Sequence, residues 1–225
     1  GKACMRSGAG KLTILTPCRN NDILQMGLPE AILQHDVHDT RITTTIDTTC
    51  YQSIAIGPGI GTHDTTAQAL HGFLRQGRPL VLDADALNIL AMQPDWKSLL
   101  PKDSIITPHP KELERLTTPC TNSQERLKRA LELAQESHIY VLLKGHHSMI
   151  CTPQGDVYIN TTGNAGMATA GSGDVLMTVK NADGILPGFN KVAVGTAARL
   201  RWRIRRAGTI WCWRVFLLAR VCMLM

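Results

Sequence analysis

Apolar positions change their period along the chain, and the changes mark its elements. Leu12–Thr16, Ser53–Ile56, Pro79–Leu82, Ser104–Thr107 and Ile139–Leu143 are short apolar runs set off by glycine, proline or polar clusters. Such runs predict strands, Ser53–Ile56 a short buried one and the continuous Ile139–Leu143 one covered on both faces. Between them the repeat lengthens to helical spacing. Ala67, Leu70 and Leu74 share one face of a helix that starts at a Thr62 or Asp64 cap and runs to about Arg75. Leu127, Ala130, Leu131 and Ala134 line one side of Ser123–Ser137, the clearest amphipathic stretch. Ala86–Met92 is a further helix, and so is Pro110 to about Leu116, with proline at its first position and Glu112 in its first turn. Lys2–Gly10 reads as a helix end closed at Gly8 or Gly10. Ser148–Thr152 and Val157–Asn160 form a hairpin around Pro153–Asp156. Residues 19–50 lack periodic apolar content and read as solvated connections with an edge strand. Strands alternating with helices predict an α/β three-layer sandwich around a mostly parallel sheet.

Candidate chemistry falls at the ends of the predicted strands. In Asn164–Asp174, Gly166, Gly171, Gly173 and other small residues leave the backbone bare ahead of an apolar helix start. Glycine lets successive N–H groups turn into one concavity, which holds oxyanions, and a helix beginning near Ser172 adds its unpaired N–H groups. Asp174 alone fits an ordinary first-turn acid; the run of small residues before it favours a phosphate cradle with a carboxylate at its edge. Gly57–Gly61 joins a strand to a helix, either as a tight turn or as a ligand-facing loop. Asp83 and Asp85 lie where open α/β sheets bind ligands, and Asp85 also fits a helix cap. His109 is held between two prolines. Lys144 brings a cation to the end of its strand. His35 and His38 near Asp36 and Asp39 fit no metal template closely.

Gly171-Ser172-Gly173-Asp174 behind a glycine-rich turn is similar to the anion hole of the ribokinase-like superfamily. Gly57-Pro58-Gly59-Ile60-Gly61, Thr107-Pro108-His109-Pro110-Lys111-Glu112, Leu143-Lys144-Gly145 and Asn164-Ala165-Gly166-Met167 follow in order. Together they make residues 4–176 resemble the ADP/ATP-dependent NAD(P)H-hydrate dehydratases. That resemblance implies a ribokinase-like three-layer α/β/α sandwich, ADP or ATP with Mg²⁺, and hydrated NADH or NADPH (NADHX, NADPHX) as substrate. It places Gly59, Gly61, His109, Pro110, Lys111, Glu112 and Asp174 against the substrate, with Asp174 as catalytic base. Along the nucleotide it places Lys144, Gly145, His146, His147 and Ser148, then Asn164, Gly166, Met167, Ala170, Gly171, Ser172 and Gly173. It implies no metal-ligating residues. Two alternatives stay open: a small-molecule kinase of the same superfamily, acting on a vitamin precursor or sugar, and a nucleotide-binding remnant without catalysis. The remnant reading draws on the family's strand and glycine-bearing loop ahead of the first helix, which this sequence does not show.

Length and composition narrow the class. The 225 residues suffice for one substantial core, and 44% hydrophobic with 19% charged residues indicates a globular chain. The net charge of +6 is unevenly spread: residues 1–183 hold 16 Lys/Arg and all 18 Asp/Glu, while residues 184–225 hold 8 Lys/Arg and no acid. A basic balance confined to one segment argues against a nucleic-acid-binding body. Residues 184–225, with Trp202, Trp211 and Trp213, read as a separate tail, out of frame or otherwise non-native, after a dehydratase domain at 1–183. Ile210–Met225 is too short and too charged to span a membrane. The seven scattered cysteines give neither a disulfide framework nor a zinc knuckle. With no signal peptide at its start, the chain is expected to be a cytoplasmic enzyme compatible with homo-oligomerisation.

Overall fold

A computed structural model of the chain describes residues 1–7, 9–160 and 172, and the backbone of Arg220–Leu224. Its strands are β1 (Lys11–Thr16), β2 (Ile32–His35), β3 (Ser53–Ile56), β4 (Val81–Leu82), β5 (Ile105–Ile106), β6 (Tyr140–Leu143), β7 (Met149–Cys151), β8 (Val157–Ile159) and β9 (Arg220–Leu224). They form one sheet in the order β2-β1-β9-β3-β4-β5-β6-β7-β8. Every pairing from β2 through β6 is parallel, and the β6-β7-β8 end is antiparallel. The helices are α1 (Lys2–Arg6), α2 (Asn21–Gly27), α3 (Asp64–Arg75), α4 (Asp85–Ala91), α5 (Trp96–Leu99), α6 (Pro110–Leu116) and α7 (Ser123–Glu136).

Successive strand side chains point to opposite faces, so a run that is apolar throughout needs cover on both. The two cores divide accordingly. Ile54, Ile56, Leu80, Leu82, Ile106, Val141 and Leu143 join Leu70, Phe73, Leu87, Leu90, Leu113, Leu133 and Ala134 from the helices on one face. Ala55, Val81, Ile105 and Leu142 point the other way, into a cluster with Cys4, Leu12, Ile14 and Leu28. Burying one such side chain is worth about 1.5–3 kcal/mol, so this alternation supplies much of the driving force.

β9 lies between β1 and β3, with Lys11 opposite Arg220 and Ile56 opposite Leu224. These residues come from the basic segment that composition sets apart, and their backbone forms an inner strand of the sheet.

Local chemistry differs from expectation at several points. The cap of α3 is His63, whose ring accepts the Thr65 N–H at 3.3 Å; neither Thr62 nor Asp64 caps it. Asp85 makes no side-chain cap on α4. Helices α2 and α5 arise where no apolar stripe predicts them. Residues 36–51 are pinned rather than loosely solvated. Buried Asp36 accepts hydrogen bonds from the His38, Thr43 and Thr44 backbone N–H groups and from both threonine hydroxyls, at 2.5–2.8 Å. Thr45 donates to the Ala69 carbonyl, Thr48 binds Gln76, and Arg78 donates to the Thr49 and Tyr51 carbonyls.

Candidate functional site

Parallel strands end at a common edge, and the segments leaving β3, β4, β5 and β6 are seamed there by backbone hydrogen bonds. Asp83 N–H donates to the Ile56 carbonyl at 3.1 Å, Thr107 N–H to Leu82 at 3.1 Å, and Lys144 N–H to Pro108 at 2.8 Å. Gly57 closes β3 with φ +146°, and a Cβ there would lie 1.8 Å from the Asp83 carbonyl oxygen. Only glycine fits so close an approach. Gly59 and Gly61 also have positive φ, +73° and +75°, but an added Cβ would meet nothing within 4 Å. Their requirement is backbone conformation, and the space beside them is open. The Gly61 N–H donates to the Asp85 carboxylate at 2.9 Å.

The turn after β5 is fastened by its own side chains. His109 is the N-cap of α6: its Nδ1 accepts the Lys111 and Glu112 backbone N–H groups at 3.1 and 3.4 Å. Glu112 returns the contact by accepting the His109 N–H at 2.7 Å, a reciprocal capping box. With Nδ1 accepting, the neutral ring carries its proton on Nε2, which lies 3.2 Å from the Glu112 carboxylate. Burial lowers the His109 pKa from its ordinary 6.5; the Glu112 charge opposes this, and the Lys144 and Arg115 charges assist.

Lys144 leaves β6 toward the same group. Its ammonium lies 2.6 Å from Asp83 and 3.7 Å from Glu112, and both carboxylates are buried. Asp83 also accepts the Ala84 N–H at 2.8 Å. Buried charges persist only when paired and hydrogen-bonded, as these are.

The expected substrate-side residues Gly59, Gly61, His109, Pro110 and Glu112 thus lie on segments of one edge, with the Lys144 ammonium beside Glu112. Lys111 belongs to the same turn and is exposed. Gly145, His146, His147 and Ser148 follow Lys144 in the β6–β7 connection. His146 and His147 turn toward each other, ring centroids 4.4 Å apart, and Ser148 donates to the Gly145 carbonyl. Ser172 is helical and half-buried. Asn164, Gly166, Met167, Ala170, Gly171, Gly173 and Asp174 lie outside the described residues.

Among the described residues no group of three His, Cys, Asp or Glu side chains could hold a metal. Asp83 and Glu112 converge, but on the Lys144 ammonium. His38 serves a local turn, donating its N–H to Asp36 and accepting from Thr40. Cys4, Cys18, Cys50, Cys120 and Cys151 are free thiols; burial pushes Cys4 and Cys151 up to about 11, which leaves them unreactive fillers. A cavity of about 310 Å³, lined by Lys11, Thr13, Gln34, Cys50 and Tyr51 among others, lies away from this network, by the first residues of β1 and the approach to β3. No helix among the described residues is long and apolar enough to cross a membrane.

A mostly parallel sheet, helices against it and polar loops at strand carboxyl ends define an α/β protein of the ribokinase-like class. A ribokinase-like superfamily protein from Enterococcus faecalis V583 shares this fold, with a TM-score of 0.70 over 93% of this chain and 75% of that one, at 23% identity. The chain belongs to the NAD(P)H-hydrate dehydratase family, whose profile matches residues 1–179. It is similar to the ADP/ATP-dependent NAD(P)H-hydrate dehydratase of Bacillus subtilis, crystallised with ATP and Mg²⁺ and soaked with CoA. The TM-score is 0.71 and the identity 30%, over 93% of this chain and 79% of that one. In sequence it is 38% identical over 190 residues to the bifunctional NAD(P)H-hydrate repair enzyme of Moorella thermoacetica, covering 77% of this chain and 35% of that protein. It is 35% identical over 181 residues to the ADP-dependent (S)-NAD(P)H-hydrate dehydratase of B. subtilis, covering 78% of this chain and 62% of that protein. The chain therefore spans less than two thirds of the length of either.

Proposed function

We propose that this chain dehydrates NADHX and NADPHX in a reaction driven by ADP or ATP. The observation that carries the reading is the meeting of the glycine loop, the His109–Glu112 turn and the Lys144 ammonium at one sheet edge. From that edge the β7–β8 hairpin leads the chain on to Asn164–Asp174.

The nucleotide, bound with Mg²⁺, supplies a phosphoryl group that turns the substrate hydroxyl into a good leaving group. The chain's own part is position, charge and one proton. Gly59, Gly61 and the His109 turn hold the hydrated ring, and the neutral His109 offers Nε2–H as a donor. Lys144 and the Gly171–Gly173 amides receive charge that builds on the transferred group. Asp174 takes the hydroxyl proton as the substrate oxygen bonds to the terminal phosphorus and the bond to the rest of the nucleotide breaks. The substrate C–O bond then breaks, phosphate departs, and loss of a ring proton restores the dihydronicotinamide.

The test is regeneration of NADH from NADHX by the unaltered chain with ADP or ATP, followed by absorbance and phosphate release. NADH and phosphate in equal amounts support the proposal. A phosphorylated product without NADH points to a small-molecule kinase, and nucleotide binding without turnover to a non-catalytic remnant. Asp174→Asn should abolish turnover and leave nucleotide affinity within a few-fold; retained turnover would remove Asp174 from the base role.

A further inference from the structure

We infer that the Asp83-Ala84-Asp85 turn splints the two ligand loops together, Asp83 positioning the Lys144 ammonium and Asp85 positioning the glycine loop through Gly61. Which ligand each loop meets rests on the dehydratase reading; the splint itself rests on geometry.

Two carboxylates separated by one residue serve different partners. Asp83 reaches Lys144 at 2.6 Å, and Asp85 reaches the Gly61 N–H at 2.9 Å. Ala84 between them has φ 49° and ψ −118°, a left-handed conformation that an L-residue adopts at a cost of about 1–3 kcal/mol. The strain sits where the chain must turn one carboxylate toward β6 and the next toward the β3 loop. A plain helix start would leave Asp85 capping α4, and it makes no such bond. A plain buried ion pair would account for Asp83 and leave both Ala84 and the Asp85–Gly61 bond unexplained. The same turn meets the glycine loop a second time, through the close approach of the Asp83 carbonyl to Gly57.

Holding the ammonium and the loop from one rigid turn fixes their separation. Positional error of about 1 Å between reacting groups can cost about a hundredfold in rate. Asp83 and Asp85 are thus positioning residues, each acting on its own loop.

The test uses the full chain with Asp83→Asn and Asp85→Asn. Two readouts need no turnover: amide exchange at Gly61, and amine labelling of Lys144 measured against surface Lys128. Asp85→Asn should speed Gly61 exchange by about tenfold or more and leave Lys144 labelling unchanged. Asp83→Asn should raise Lys144 labelling several-fold and leave Gly61 exchange unchanged. In turnover, Asp85→Asn should raise KM for the hydrate alone, while Asp83→Asn should lower kcat by about tenfold or more without raising that KM. If Asp83→Asn does not fold, Ala84→Gly serves: it relieves the strain and should loosen both readouts with the melting temperature held or raised. Equal movement of both readouts in the two Asn variants, or movement of neither, would reduce the turn to an ordinary part of the fold. If the unaltered chain shows no turnover, the dehydratase reading fails, and exchange and labelling still decide the splint.

Discussion

The Glu112 carboxylate accepts the backbone N–H of His109 at 2.7 Å while the His109 ring accepts the backbone N–H of Glu112 at 3.4 Å. Each residue closes the other's orphan group, so the pair that begins α6 is also the pair beside Lys144 at the sheet edge. Glu112→Ala should cost about 1–3 kcal/mol, because it strands a half-buried N–H and removes a carboxylate near Lys144. Urea denaturation of the two proteins checks this; a loss below about 0.5 kcal/mol would deny the cap any weight.

The same pair predicts a pH effect. Burial keeps the folded His109 below its ordinary 6.5, so the unfolded chain binds more protons in the window beneath that value. The contribution is complete above about pH 6.5 and is lost as pH falls toward the folded pKa. His109→Asn keeps a capping acceptor and removes the titration. Its unfolding free energy should therefore be flatter than that of the unaltered chain between pH 6.5 and 5. Parallel curves would contradict the assignment.

Asp36→Asn should be among the more damaging single changes away from the Asp83–Glu112–Lys144 group. An amide can accept only part of the hydrogen bonding that this carboxylate takes from His38, Thr43 and Thr44, and it adds donors among donors; the loss is about 3 kcal/mol. Burial alone would raise the Asp36 pKa, but the Thr44 and Thr43 hydroxyls and the His38 and Thr43 N–H groups outweigh it and lower it. This stabilisation is therefore present above the unfolded carboxylate value, about 3.9, and is lost as pH falls below it. Limited proteolysis should find new cleavage within residues 36–49 in the variant. An unchanged digest and melting temperature would refute the anchor.

Two glycines of one loop should respond differently to alanine. Gly59→Ala meets only backbone strain, about 1–2 kcal/mol, since its surroundings are open. Gly57→Ala adds a clash with the Asp83 carbonyl and should cost at least about 3 kcal/mol. Thermal melts of the two variants rank them, and equal losses would contradict the close contact.

If Asn164–Asp174 forms the phosphate cradle proposed above, Gly173→Val should impair nucleotide binding before it impairs anything else, by placing a branched side chain against the phosphate. Calorimetric titration with ADP and with ATP measures the effect. Unchanged affinity in a folded variant would reduce the glycine-rich stretch to a simple turn.

Much of this arrangement is legible in the sequence because its signals are local. Pro110 and Glu112 fix the start of α6 within a single turn, and the unbroken apolar run Ser53–Ile56 coincides with β3. Family motifs led to His109, Glu112 and Lys144, all of which meet at the sheet edge. Features that depend on distant partners stayed hidden. α2 places Ile23 and Met26 in solvent, so no apolar stripe announces it. His63 caps α3 although the usual capping residues flank it. Asp36 looks like one more polar residue in a polar stretch until Thr43 and Thr44 fold back onto it. The direction of Asp85 depends on the unusual backbone of Ala84, which residue type does not reveal.

The position of β9 has a temporal consequence. A ribosome releases Lys11–Thr16 and Ser53–Ile56 long before it releases Arg220–Leu224, yet those two early strands meet the sheet's later arrival from either side. Throughout that interval each keeps a row of N–H and C=O groups open to any passing strand, a template for misassociation. Contacts between residues so far apart in the chain also form slowly, because the intervening loop must first be closed. The seam on either side of β9 thus closes late during synthesis, after the rest of the described sheet has been released.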